Sequence, residues 1–119
     1  MSIPSHVVVL VTLPLEVDAG GFARTLVEER LAACISVSGE IRSVYRWEGQ
    51  VSEDRERQLF IKTTSKRLSA LSKRVQEIHP YSAPEFLVLP VFEGEPNYLK
   101  WISESVSYTH LTLPTNREV

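Results

Sequence analysis

The sequence predicts an α+β domain of order βαββαβ, with a long β-hairpin at its centre and an extra C-terminal helix. Three observations carry that reading. Two apolar runs, Val7 to Val11 and Phe86 to Val91, suit strands buried on both faces. Two stretches with apolar residues at helical spacing each follow a strand. Between them an alternating segment turns at Glu48-Gly49 and runs back.

The first run ends at Pro14, which cannot donate to a sheet ladder. From Asp18 to Ala33, Phe22, Leu26, Val27 and Leu31 recur on one helical face, and Asp18 is placed to cap the start. In the segment from Ile35 to Trp47, Ile35, Val37, Ile41, Tyr45 and Trp47 share one parity, the pattern of a half-buried strand. Gly49 supplies the positive φ of the turn. Val51 to Thr63 returns as its partner, charged from Glu53 to Arg57 and apolar at Leu59-Phe60-Ile61. Leu68, Leu71, Val75 and Ile78 mark the second helix, with Thr64 and Ser65 as candidate caps. Pro80 stops it near His79. Pro96 suits the first turn of the last helix, which carries Tyr98, Leu99, Trp101 and Ile102. This is the ferredoxin-like, split βαβ order.

The composition bounds the function classes. The 119 residues suit one domain, and 43% hydrophobic with 24% charged residues is ordinary for a globular chain. A formal net charge of −2 lacks the basic excess of a nucleic-acid binder. Lys66-Arg67 and Lys73-Arg74 read as solvated helix faces. One cysteine, Cys34, permits no internal disulfide and suits a reducing cytoplasm; among small apolar neighbours it reads as a buried small hydrophobe. No basic region precedes a long apolar stretch, so we expect no signal peptide, no membrane span and no membrane partner. The domain is expected over residues 1–106. The segment from 107 to 119 fits no element and reads as a disordered extension or a non-native scar.

The hairpin predicts an oligomer. A strand of ~13 residues extends ~43 Å, whereas a compact chain of this size is only ~35 Å across. Its arms should overrun the domain, leaving edges and the aromatic pair Tyr45 and Trp47 for another subunit. The alternative is a bulge at Gly39 that bends the ribbon closed within one chain.

The candidate chemistry lies in His79-Pro80-Tyr81-Ser82-Ala83-Pro84-Glu85. Pro80 and Pro84 stiffen a loop that carries an imidazole and a carboxylate, two ligands for a divalent cation. Two ligands make a weak, open site. The competing reading makes His79 a C-terminal helix cap and pairs Glu85 with a nearby Lys or Arg. The sequence contains no CxxC, HExxH, nucleophile elbow or phosphate-cradling glycine loop, so no enzyme and no organic cofactor are expected.

Several strings closely resemble the CutA family of divalent-cation tolerance proteins. They are Val7-Val8-Val9-Leu10 leading to Thr12 and Pro14, Leu31-Ala32-Ala33-Cys34, and Tyr45-Arg46-Trp47-Glu48-Gly49. Glu56, Lys62-Thr63, His79-Pro80-Tyr81, Pro84-Glu85, and Tyr98 with Trp101 follow in the same order. The resemblance covers about residues 6 to 105 and implies a ferredoxin-like homotrimer with a role in tolerance of copper and other divalent metals. It places the metal-binding role on His79 and Glu85. Val11 stands where some members carry a cysteine, so a soft thiolate ligand is missing and weak binding, copper(II) foremost, is implied. The trimer also resembles the PII signalling proteins. By that analogy Trp47, Glu56, Lys62 and Tyr81, with His79 and Glu85, line a cleft between subunits for a small effector or an unknown protein partner.

Overall fold

A computed structural model describes residues 4–107. The tail expected from 107 to 119 lies, Ser107 apart, outside the described residues. Strands β1 (His6–Pro14), β2 (Cys34–Trp47), β3 (Gln50–Thr64) and β4 (Leu87–Pro90) form one antiparallel sheet in the order β2-β3-β1-β4. Helices α1 (Ala19–Glu28) and α2 (Leu68–Ile78) cover one face, and α3 (Pro96–Ser105) follows β4. A short 3₁₀ turn, Ser65–Arg67, leads into α2. The ferredoxin-like order predicted from sequence is the order observed.

The helix-covered face holds the core. Val7, Val9, Val11 and Leu13 of β1 pack with Leu59 and Ile61 of β3, Phe22 and Leu26 of α1, and Leu71 and Val75 of α2. Alternate residues of β1 are only half-buried, so this strand is enclosed on one face, not on two. All of β4 is exposed, because it forms a sheet edge that no other described residue covers. The expectation of a doubly buried final strand is corrected there.

Local chemistry sets the element ends. The Asp18 carboxylate accepts the Gly21 N–H at 3.1 Å and caps α1. That helix ends at Glu28, five residues before the predicted Ala33, because Arg30 turns into the left-handed region at φ 59°. The amides of Arg30 and Leu31 bond back to Val27 and Leu26, closing the helix end. Thr64 precedes the 3₁₀ turn without a side-chain cap bond, contrary to the predicted cap. The hairpin turns at Glu48 (φ 51°) and Gly49 (φ 80°).

The bulge at Gly39 is real. Val37 pairs with Leu59 but Glu40 pairs with Arg57, so β2 gains one residue there. The Ser38 hydroxyl accepts the Gln58 N–H at 2.8 Å and stabilises the irregularity. A one-residue insertion moves every later side chain to the other face. Ile35 and Val37 therefore face the helices, while Ile41, Tyr45 and Trp47 face the opposite side, and their common parity in sequence misled. The bulge does not close the ribbon within the chain. The molecule extends 50 × 34 × 24 Å with a radius of gyration of 15.5 Å. At the hairpin's distal end Val44, Tyr45, Trp47 and Val51 all stay exposed.

Candidate functional site

The polar cluster forms where the α2–β4 loop meets the ends of β1 and the middle of β3. His79 ends α2 and its backbone N–H bonds to Val75, as a C-terminal cap should. Its ring does not turn back to the helix carbonyls. It enters the core edge, 7% exposed, and its Nε2 lies 2.7 Å from the Thr12 carbonyl. Nδ1 accepts the Tyr81 N–H at 3.0 Å. A carbonyl can only accept and an amide N–H can only donate, so the neutral ring carries its proton on Nε2. Phe22 meets the ring edge-on at 6.1 Å, and the Tyr81 ring lies 5.0 Å away. Both ring nitrogens are thus engaged.

Glu85 accepts a hydrogen bond from the Gln58 side-chain amide at 2.9 Å. The same amide nitrogen donates to the Val11 carbonyl at 3.1 Å. Glutamine, not the lysine or arginine considered from sequence, is the partner of Glu85. Through Gln58 the bulge and the His79–Glu85 loop are tied to one residue.

Glu56 faces the same side of the sheet, opposite Pro14 and Ile41. It is 8% exposed and makes no hydrogen bond or ion pair with any described residue. The Tyr81 phenol is pushed above its ordinary pKa by burial first, then by the negative charges of Glu56, Asp54 and Glu16. The Tyr45 phenol, hydrogen-bonded to the Asp54 carboxylate, is pushed up to about 12 by that bond, with burial and the charge of Asp54 adding to it. The cluster is acidic and aromatic.

The structure gathers His79, Tyr81, Glu56 and Glu85 around Thr12–Pro14 and Glu56–Gln58. It does not bring Trp47 or Lys62 to them. Trp47 pairs with Gln50. Gln50 and Lys62 stand six residues on either side of Glu56, which is roughly 20 Å each way along a strand. Trp47 is exposed at the hairpin tip. Lys62 donates to the Ser36 hydroxyl at 2.9 Å and lies 3.9 Å from the Cys34 sulfur. Cys34 is half-buried beside that cation, not the fully enclosed hydrophobe expected. Among the described residues no group of three or more His, Cys, Asp or Glu side chains is placed to hold a metal ion. Sequence reasoning missed Gln58 and Thr12. The parity of Gln58 with Glu56 was a usable signal, whereas a backbone carbonyl such as that of Thr12 leaves none.

Fold and site together define a small ferredoxin-like protein whose polar cluster sits on a proline-stiffened loop, beside a sheet face and a hairpin left open. The family described as CutA1 divalent ion tolerance protein matches residues 7–105. The Divalent-cation tolerance protein CutA of Thermus thermophilus is 47% identical over 98 residues, covering 82% of this chain and 95% of that protein. The solved structure of the Thermus thermophilus protein superimposes with a TM-score of 0.83 and 45% identity, covering 86% of this chain and 99% of that one. A CutA structure from Archaeoglobus fulgidus, described as a periplasmic divalent cation tolerance protein, gives a TM-score of 0.81 at 30% identity, over 86% and 99% of the two chains. The chain belongs to the CutA family of divalent ion tolerance proteins.

Proposed function

We propose that this chain is a homotrimeric, non-enzymatic divalent-cation tolerance protein that binds a divalent metal weakly, copper(II) foremost, and takes part in the response to metal ions. The names of its relatives support the cation class. The observation that carries the weak affinity is the double engagement of His79. A metal reaching Nδ1 displaces the Tyr81 N–H, and an orphaned buried donor costs about 1–3 kcal/mol, or roughly 5- to 150-fold in affinity. Glu85 contributes a carboxylate already shared with Gln58. Two such ligands leave the remaining positions to water or to a neighbouring subunit.

The trimer rests on the uncovered surface. Phe60 (40% exposed), Leu87 (53%) and Leu89 (45%) lie on the sheet face opposite α1 and α2, beside the free edge of β4. Edges and apolar faces of this kind are normally covered. Among the described residues no helix is long and apolar enough to cross a membrane. The reading includes a cytoplasmic location.

Calorimetric titration with Cu²⁺ tests the metal role in wild type, His79→Gln and Glu85→Gln. Weakened binding in both variants is expected; equal binding by all three removes these residues from the role.

One observation favours a second reading. Glu56 is largely covered by the fold yet makes no hydrogen bond or ion pair with any described residue, so its carboxylate is open to a cation or a donor. A PII-like regulatory trimer would supply one, from a small effector or a protein partner in the cleft between subunits. Lys62, roughly 20 Å away in the same chain, would then act in the cleft from a neighbouring subunit. Thermal shift in metal-free buffer with nucleotides and organic acids separates the readings, because ligand binding to the folded state raises the midpoint.

A further inference from the structure

The hairpin sorts its charges between its two faces. Strand register puts Glu40, Arg42, Glu53 and Arg55 on the face continuous with Leu59 and Ile61. There they pair with each other, Arg42 with Glu53 and Arg55 with Glu40, both at 3.1 Å. Asp54 and Glu56 lie on the opposite face, roughly 7 Å apart along β3. Beside them on that face stand Ile41, Ser43 and Tyr45 of β2, and Thr12 and Pro14 of β1. No lysine or arginine of these three strands shares that face short of Lys62, which donates to the Ser36 hydroxyl.

Aromatic rings flank the two carboxylates. The Tyr45 hydroxyl donates to one oxygen of Asp54, and the other oxygen makes no bond with any described residue. The Tyr81 ring lies 5.0 Å from that of His79, which steadies it on the loop side. Glu56 and Asp54 both act on the Tyr81 phenol, and Tyr81 and Glu56 both act on that of Tyr45, so the four side chains share one space. Glu16 adds a third negative charge there. Tyr45 (40% exposed) and Tyr81 (39%) keep ring surface open to a ligand.

Glu56 differs from the other carboxylates of the stripe. It is 8% exposed, so the fold already holds its side chain, yet it makes no hydrogen bond or ion pair with any described residue. A held carboxylate with free lone pairs, set beside two phenol rings, suits a flat cation. Guanidinium N–H groups meet the two carboxylate oxygens as a fork, and the guanidinium plane stacks on an aromatic face. A metal ion is a poorer occupant, because among the described residues no three His, Cys, Asp or Glu side chains are placed to hold one.

We propose that this stripe is a site for a small organic cation bearing a guanidinium group, held by Glu56 and Asp54 and flanked by the rings of Tyr45 and Tyr81. The proposal rests on the second reading above, in which Glu56 faces an effector, and names the chemical class of that effector.

Agmatine, which joins a guanidinium to a primary ammonium, is the probe. Putrescine, ATP and sodium chloride at matched ionic strength are the comparisons, all on the full chain in buffer with EDTA. Backbone amide shifts of Tyr45, Asp54, Glu56 and Tyr81 report the site directly. Saturable shifts with agmatine, weaker ones with putrescine and none with sodium chloride are expected. Glu56→Gln should weaken agmatine binding by about tenfold or more, because a hydrogen bond to a charged group is lost. Tyr81→Leu removes one ring face and should weaken it by roughly two- to fivefold, while keeping the backbone N–H that His79 accepts. Far-ultraviolet circular dichroism confirms that each variant folds, and either one suffices. The proposal is overturned if sodium chloride acts as well as agmatine, or if folded variants bind as wild type does. If ATP moves these amides and agmatine does not, the cation class is wrong while the effector reading stands. If neither moves them, both fall.

Discussion

Removing the His79 imidazole should destabilise the fold far more than removal of an average loop side chain. His79→Ala deletes a ring that is 7% exposed. It leaves the Thr12 carbonyl and the Tyr81 N–H without the partners they hold at 2.7 and 3.0 Å. An abandoned buried polar group costs about 1–3 kcal/mol. The lost edge-on contact with Phe22 adds about 0.5–1.5 kcal/mol. Water entering the vacated space restores part of this, so the expected loss is about 2–4 kcal/mol. That is a large share of the ~5–15 kcal/mol that holds a small domain. His79→Gln keeps an amide donor able to reach the Thr12 carbonyl and should recover about 1 kcal/mol. Urea unfolding of the three proteins at one fixed protomer concentration measures this, since assembly would make stability concentration-dependent. A loss below about 0.5 kcal/mol in His79→Ala, the size of an ordinary surface change, would refute the structural role of the ring.

Three further outcomes follow from local geometry. Asp18→Ala removes the α1 cap and should lower stability by about 1 kcal/mol in the same unfolding assay. Gly49→Val places a β-branched residue at φ 80° in the hairpin turn and should lower the denaturation midpoint, whereas Gly49→Asn should be nearly neutral. Tyr45 is raised from 10.0 to about 12, so the folded state keeps its proton over a range where the unfolded chain has lost it. That contribution to stability is complete below pH 10 and disappears as the pH rises from 10.0 to about 12. An ultraviolet titration of wild type against Tyr45→Phe should show a phenol ionising near 12, and Asp54→Asn should bring it back towards 10.0.

The fold was legible because periodicity and punctuation agreed. Pro14, Gly49 and Pro80 end elements where the chemistry of proline and glycine requires. The facing of the distal hairpin was not legible. It depends on one extra residue at Ser38–Gly39, and a bulge reverses parity without altering composition. The exposure of β4 also escaped, because an apolar run reads as buried whether its cover lies in the same chain or in another. At the site, His79, Tyr81, Glu56 and Glu85 were visible as residue types in a stiff loop and a charged strand. Their bonding was not, since Thr12 acts through a carbonyl and Gln58 lies 27 residues from Glu85.

The central claim is a CutA-type trimer whose open sheet face and projecting hairpin are covered by copies of the same chain. Size-exclusion chromatography with light scattering on the full chain tests it most directly. The account predicts one species at three times 13.5 kDa, about 40.5 kDa, that persists on dilution. A stable species of 13.5 kDa at micromolar concentration would contradict it.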